Sequence, residues 1–99
     1  MKIDKYVDDG KTTFSIDGRL DASTTPELQE ELIPEFESSK KITLDFKHLV
    51  YISSAGLRVL MIAVKKSMAT GVEFSATNVP SEIMKIFDMT MLSSYLKIT

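Results

Sequence analysis

The chain has no cysteine among its 99 residues. That excludes disulfides and thiolate metal sites, and it suits a reducing compartment. There is no basic excess either: 12 Lys and Arg stand against 14 Asp and Glu, for a net charge of −2. The electrostatic footprint of direct nucleic-acid binding is therefore missing. The longest near-apolar stretch, Val59 to Val64, falls far short of the ~20 residues that span a bilayer. The start, Met1-Lys2-Ile3-Asp4-Lys5, carries an early acid and no apolar segment, so it does not read as a signal peptide. No Gly-x-Ser-x-Gly elbow and no Walker-type glycine loop occurs. One histidine, His48, and scattered carboxylates are too few for a metal site. The expectation is a cytoplasmic chain with no membrane insertion, no metal, no cofactor and no catalytic residue.

What is present is ordinary for a soluble protein. Hydrophobic residues make up 43% and charged residues 26%. A chain of this length buries over ~60% of its unfolded surface, enough for one core. Residues 1–99 read as a single domain.

Residues 2–7 read weakly as a strand, and Asp9-Gly10 is a two-residue hairpin signal. Thr12 to Leu20 alternates, with Phe14, Ile16 and Leu20 on one face. Gly18 marks a bulge or a close backbone approach. Thr24 and Thr25 compete to cap a first helix, since Pro26 suits its first position and Glu27 fits a capping box with Thr24. Leu28, Leu32, Ile33 and Phe36 form its apolar face, and the glutamates from 27 to 35 read as its solvated one. Pro34 predicts a kink or a frayed last turn. Ile42 to Phe46 is a strand, and Val50 to Ile52 leads into Ser53-Ser54-Ala55-Gly56. Leu57 to Met68 is a helix apolar on most sides, so it is largely enclosed or part of it faces a partner. Gly71 stops it. Val72, Phe74 and Ala76 alternate in a strand, a short helix follows Pro80, and Tyr95 to Ile98 is a last strand. Strand–helix alternation calls for a largely parallel sheet of four to five strands, opened by an antiparallel N-terminal hairpin.

The serine turn is the informative stretch. Ser is a preferred N-cap, and a strand-to-helix turn places hydroxyls at the positive end of the helix. A phosphate there meets free backbone N–H groups. On spacing alone, capping explains both serines. Gly56 reads as a small residue that permits close packing.

Asp45-Phe46-Lys47-His48-Leu49-Val50-Tyr51-Ile52-Ser53-Ser54-Ala55-Gly56-Leu57 resembles the STAS domain of anti-sigma factor antagonists. Gly18-Arg19-Leu20-Asp21-Ala22-Ser23-Thr24 is similar to the loop before that family's first helix, and Val79 to Leu92 is a looser match. The resemblance implies a single-layer α/β fold, with helices mainly on one face of the sheet. It implies that Ser54 accepts phosphate from an anti-sigma factor with serine kinase activity. The unphosphorylated chain would bind that partner and release the sigma factor, phosphate would abolish binding, and a PP2C-type phosphatase would reverse it. Ser53 remains mainly a cap. Asp21 either supports the kinase and partner surface or caps the first helix, and Ser23 and Thr24 are caps and contact residues. With Ala55, Gly56 and Arg58 they complete the partner-binding or switch-supporting set.

Two positions depart from the family's pattern. Ser53 stands where members often carry Asp, and Met91 where many carry Gly. The first keeps a second reading open: an unphosphorylated adaptor or scaffold in a transport or stress-signalling complex. The second implies that the usual left-handed helix stop is lost there and that the last turn before the final strand is altered. Three further expectations come from the residues alone. Asp45 is a solvated strand residue, the six methionines mainly fill core gaps, and a Ser54–His48 hydrolase is remote.

Overall fold

The alternating stretch from Thr12 becomes the longest strand of the sheet, paired with three others, and its apolar row faces the core. The computed structural model describes residues 1–99. Its strands are β1 (Lys2–Asp8), β2 (Lys11–Leu20), β3 (Lys41–Asp45), β4 (Leu49–Ile52), β5 (Glu73–Thr77) and β6 (Lys97–Ile98). Its helices are α1 (Thr25–Leu32), α2 (Ser54–Thr70) and α3 (Ser81–Met89). The sheet order is β1-β2-β3-β5-β6, with β4 paired to β2 beyond the end of β3. Only β1 is antiparallel. β4 is a strand beyond the expected four to five. Its four residues alternate too little to announce themselves, and pairing with β2 makes the segment a strand.

Cross-strand register lines up the core. Phe14 faces Leu44, which faces Ala76; Ile42 faces Phe74. All five are buried in one cluster with Leu28, Leu32 and Phe36 of the first helical segment, Leu60 and Ala63 of α2, and Ile83 and Phe87 of α3. Edge-to-face contacts lock Phe36 to Phe74 at 5.5 Å and Phe46 to Phe87 at 6.0 Å. The other sheet face presents Thr13, Thr43 and Ser75 in register, with a Thr43–Ser75 hydroxyl contact of 3.2 Å.

Asp9 and Gly10 both adopt positive φ, at 48° and 79°, as the hairpin signal requires. Gly18 sits at φ 106°, where the β2–β4 register shifts, so the bulge is real. Pro34 ends regular helix at Leu32, and Ile33–Glu37 continues as a 3-10 turn. Gly71 closes α2 in the left-handed conformation at φ 77°. The last strand is shorter than expected, since Tyr95 still belongs to the turn before it.

Three expectations need correction. Met91 does not lose the left-handed stop; it adopts it, at φ 65°. A non-glycine side chain there is strained by roughly 1–2 kcal/mol. Its side chain is exposed, so little packing is lost on replacement. Met91→Gly is expected to raise stability by about 0.5–1 kcal/mol once the extra unfolded-state freedom of glycine is subtracted. Urea denaturation reads that gain. Secondly, none of the six methionines is buried; Met68, Met89 and Met91 are exposed, and Met1, Met61 and Met84 only flank the core.

Thirdly, Glu35 is not on a solvated face. Its carboxylate accepts from Lys5 at 2.8 Å, from Thr12 at 3.1 Å and from Ser39 at 2.9 Å. Thr12 and Ser39 are buried and also share a 2.7 Å contact. Pro34 turns the chain so that Glu35 points at the sheet. The Lys5 hydrogen bond, aided by Ser39 and Thr12, holds the Glu35 carboxyl below its usual value against the opposing effect of burial. A lowered carboxyl pKa contributes stability that is complete above the ordinary glutamate value of about 4.3 and fades as pH falls through the lowered one. Glu35→Ala is expected to cost about 1–2 kcal/mol at neutral pH. The gap to wild type should shrink steadily under acid, as followed by urea denaturation at several pH values below the neutral point.

Candidate functional site

Two loops meet at one end of the sheet. The first, residues 21–24, follows β2; the second is the step from β4 into α2. They are tied by the Ser53 N–H, which donates to the Leu20 carbonyl at 2.9 Å. Ligand and partner sites of open α/β sheets collect at these carboxyl ends of strands.

Ser53 is the N-cap of α2, with extended backbone (φ −96°, ψ 176°). Its hydroxyl accepts from the Gly56 N–H at 3.4 Å, and its carbonyl accepts from the Leu57 N–H at 3.0 Å. Ser54 is therefore the first helical residue, and it is exposed. The capping bonds run through Ser53, which leaves the Ser54 hydroxyl facing solvent above the helix's positive end. Gly56 is buried where no larger residue fits: a Cβ would lie 2.8 Å from Ile52 Cγ1 and 3.0 Å from the Leu20 carbonyl oxygen.

The first loop folds on itself. The Asp21 carboxylate accepts from the Ser23 N–H at 3.0 Å and from the Ser23 hydroxyl at 2.7 Å. These bonds, the hydroxyl first, hold its carboxyl below the ordinary value, and the Arg19 charge at 3.8 Å adds to them. Asp21 thus does not cap α1 with its side chain. Neither threonine caps it as expected. Thr24 stands at the N-cap position without a capping bond. Its hydroxyl accepts from the Asp21 N–H at 2.9 Å and donates to the Arg19 carbonyl at 2.9 Å. Thr25 is buried inside α1. The Asp21 carbonyl instead takes the Thr24 and Thr25 N–H groups.

Asp21, Ser23, Thr24, Ser53, Ser54, Ala55 and Gly56 therefore share this end of the molecule. Arg58 stands one turn along α2 from Ser54, exposed on the same side. Beside them the Arg19 guanidinium lies 4.2 Å from the centre of the Tyr51 ring. No role for that pair is legible in the sequence, because it exists only through β2–β4 pairing. Asp45 does more than stand in solvent. It accepts from the Lys47 N–H at 3.0 Å and the Asn78 amide at 3.1 Å, joining two loops. His48 is exposed, and its carbonyl accepts from Gly18 N–H at 3.0 Å. No hydrogen bond joins its ring to Ser54. No group of three or more His, Asp or Glu side chains gathers in metal-binding geometry. No helix is long and apolar enough to cross a membrane.

The family model described as the STAS domain matches residues 2–99. The chain belongs to the STAS domain family. Among its relatives is the "Anti-sigma-B factor antagonist" of Bacillus subtilis, 24% identical over 99 residues, covering 100% of this chain and 91% of that one. Two solved structures share the fold. An anti-sigma factor antagonist from Mycobacterium paratuberculosis superposes with a TM-score of 0.87 at 18% identity, over 98% of this chain and 83% of that one. The phosphorylated Bacillus cell fate determinant SpoIIAA superposes with a TM-score of 0.80 at 14% identity, over 99% and 91%. This STAS chain therefore carries its solvent-facing serine on a fold common to antagonists from distant organisms.

Proposed function

We propose that this STAS domain, one unit over residues 1–99, is an anti-sigma factor antagonist switched by phosphate on Ser54. It acts by binding rather than by catalysis. The unmodified chain binds an anti-sigma factor that is also a serine kinase, and so frees the sigma factor. A PP2C-type phosphatase restores the unmodified form. The observation that carries this reading is the division of labour at the turn. Ser53 does the capping, so Ser54 is free to be modified without uncapping the helix. The stabilised Asp21 loop and Arg58 flank it as switch-supporting and partner-binding groups. The names of the relative and of the folded neighbours point the same way.

The test uses the purified chain, ATP and the anti-sigma factor kinase of the same organism. Mass spectrometry is expected to show one added phosphoryl group in wild type and none in Ser54→Ala. Ser53→Ala is expected to be modified and to lose about 1 kcal/mol of stability with its cap. Modification surviving in Ser54→Ala overturns Ser54 as the acceptor, and no modification of wild type overturns the switch and leaves the unphosphorylated adaptor.

A further inference from the structure

We propose that the outward face of α2 is a docking groove for an acidic amphipathic helix of the partner, and that phosphate on Ser54 closes it by capturing Arg58; the second half rests on the phosphoserine reading, and the first does not. Ser54, Arg58, Met61, Lys65 and Met68 follow one another at alternating intervals of four and three residues. That spacing lays them in one stripe along the helix. Met61 is half-buried and the other four are exposed, while Gly56, Val59, Leu60, Ala63 and Val64 take the buried face. Where the stripe reaches the C-terminal half of α2, Met61, Val64, Lys65, Met68 and Tyr95 enclose a shallow groove of about 230 Å³. Met68 and Tyr95 are 65% and 56% exposed, so this apolar surface has no cover within the chain.

Charge selects the occupant. α2 contains no acidic residue. Lys66 is paired with Glu37 at 2.9 Å, but no carboxylate pairs with Arg58 or Lys65. Two unpaired cations thus stand about 10 Å apart along the helix axis, with an apolar strip between and beside them. The complement is a helix with two carboxylates seven residues apart and aliphatic side chains between them. A second copy fits poorly, because neither its α1, with Glu27, Glu30 and Glu31 exposed, nor its α3, with Glu82 and Asp88 exposed, sets two carboxylates seven residues apart. An anionic lipid surface fits poorly as well, since such surfaces select clusters of roughly four to eight cations. Ser54 and Arg58 are one turn apart, so a phosphate on the first lies within reach of the second. The partner's carboxylate then loses its cation and faces like charge.

The probe is a stapled helical peptide of about 14 residues, four turns long, with Glu at two positions matched to Arg58 and Lys65 and Leu between them. Its control carries Lys in place of both Glu. Calorimetric titration is expected to show the Glu peptide binding at least about tenfold tighter than the control. The double reversal Arg58→Glu with Lys65→Glu is expected to invert that preference, and Met68→Ser to weaken the Glu peptide about tenfold. Phosphoserine installed at position 54 is expected to weaken it about tenfold, and Arg58→Gln to erase that effect. Equal binding of the two peptides, or binding of neither, overturns the groove. So do a dimer in sedimentation that Met68→Ser dissolves, and co-sedimentation with phosphatidylglycerol vesicles. Unchanged affinity after phosphoserine overturns the Arg58 capture alone. Neither kinase nor anti-sigma factor is present, so failure here is distinct from failure of the proposed function.

Discussion

Replacing Gly56 by alanine is expected to destabilise the protein, although alanine is the better helix former. In an exposed helix the exchange would gain about 1 kcal/mol. Here the new Cβ would stand 2.8 Å from Ile52 Cγ1 and 3.0 Å from the Leu20 carbonyl oxygen. A side-chain methylene can shift, but the Leu20 oxygen is held: it accepts the Ser53 N–H at 2.9 Å. Moving it would break the tie between the two loops of the site. Overpacking of this kind costs about 1–3 kcal/mol and wins over propensity. Gly56→Ala is therefore expected to lower the melting temperature by roughly 10 °C. Gly56→Val, with two more carbons in the same space, is expected to cost about 3 kcal/mol or more. Calorimetry of the two variants checks the order. An alanine variant more stable than wild type would mean that α2 does not rest on the strand ends as described.

Phosphate on Ser54 is expected to leave the fold intact while reducing affinity for the anti-sigma factor by about a hundredfold, which is roughly 2.7 kcal/mol. The two effects separate because the charge meets two environments. Within the chain, an anion of about −1.5 to −2 sits at the first position of α2, where the helix end favours it by roughly 0.3–1 kcal/mol. The cap of Ser53 and the buried first turn are not disturbed. Across an interface, the same anion must be buried or set against like charge, and that costs several kcal/mol. The melting temperature of the modified chain should stay within a few degrees of the unmodified one. Titration calorimetry against the anti-sigma factor measures the affinity. A modified chain that melts far lower would turn the switch into local unfolding, a different mechanism.

Much of the site is written in local sequence, and what is hidden depends on pairing at a distance. Ser53 as cap, Gly71 as stop and Asp9-Gly10 as hairpin turn follow from backbone preferences of single residues. They hold because those preferences act within one or two turns of chain. Glu35 shows the opposite case. The other glutamates of its helical segment, such as Glu30 and Glu31, stand in solvent, and its partners Lys5 and Thr12 come from the hairpin. One signal was present: Thr12 is a polar residue in the apolar row with Phe14 and Ile16, and a buried hydroxyl needs a partner. The threonine cap of α1 at Thr24 failed for a different, local reason. Asp21 and Arg19 offered the Thr24 hydroxyl better-placed bonds than the helix end did.

The order of strands and helices apart from β4, the two-faced strand β2 and the position of the serine turn were determined by sequence alone, since periodicity and capping are short-range properties. Tertiary structure decided the rest. Pairing of Leu49–Ile52 with the end of β2 brought Tyr51 under Arg19 and set the turn beside the Asp21 loop. Packing of α2 on the strand ends left at Gly56 a space that no side chain fits, against Leu20 and Ile52. Those outcomes depend on contacts between residues tens of positions apart, and no local preference encodes them.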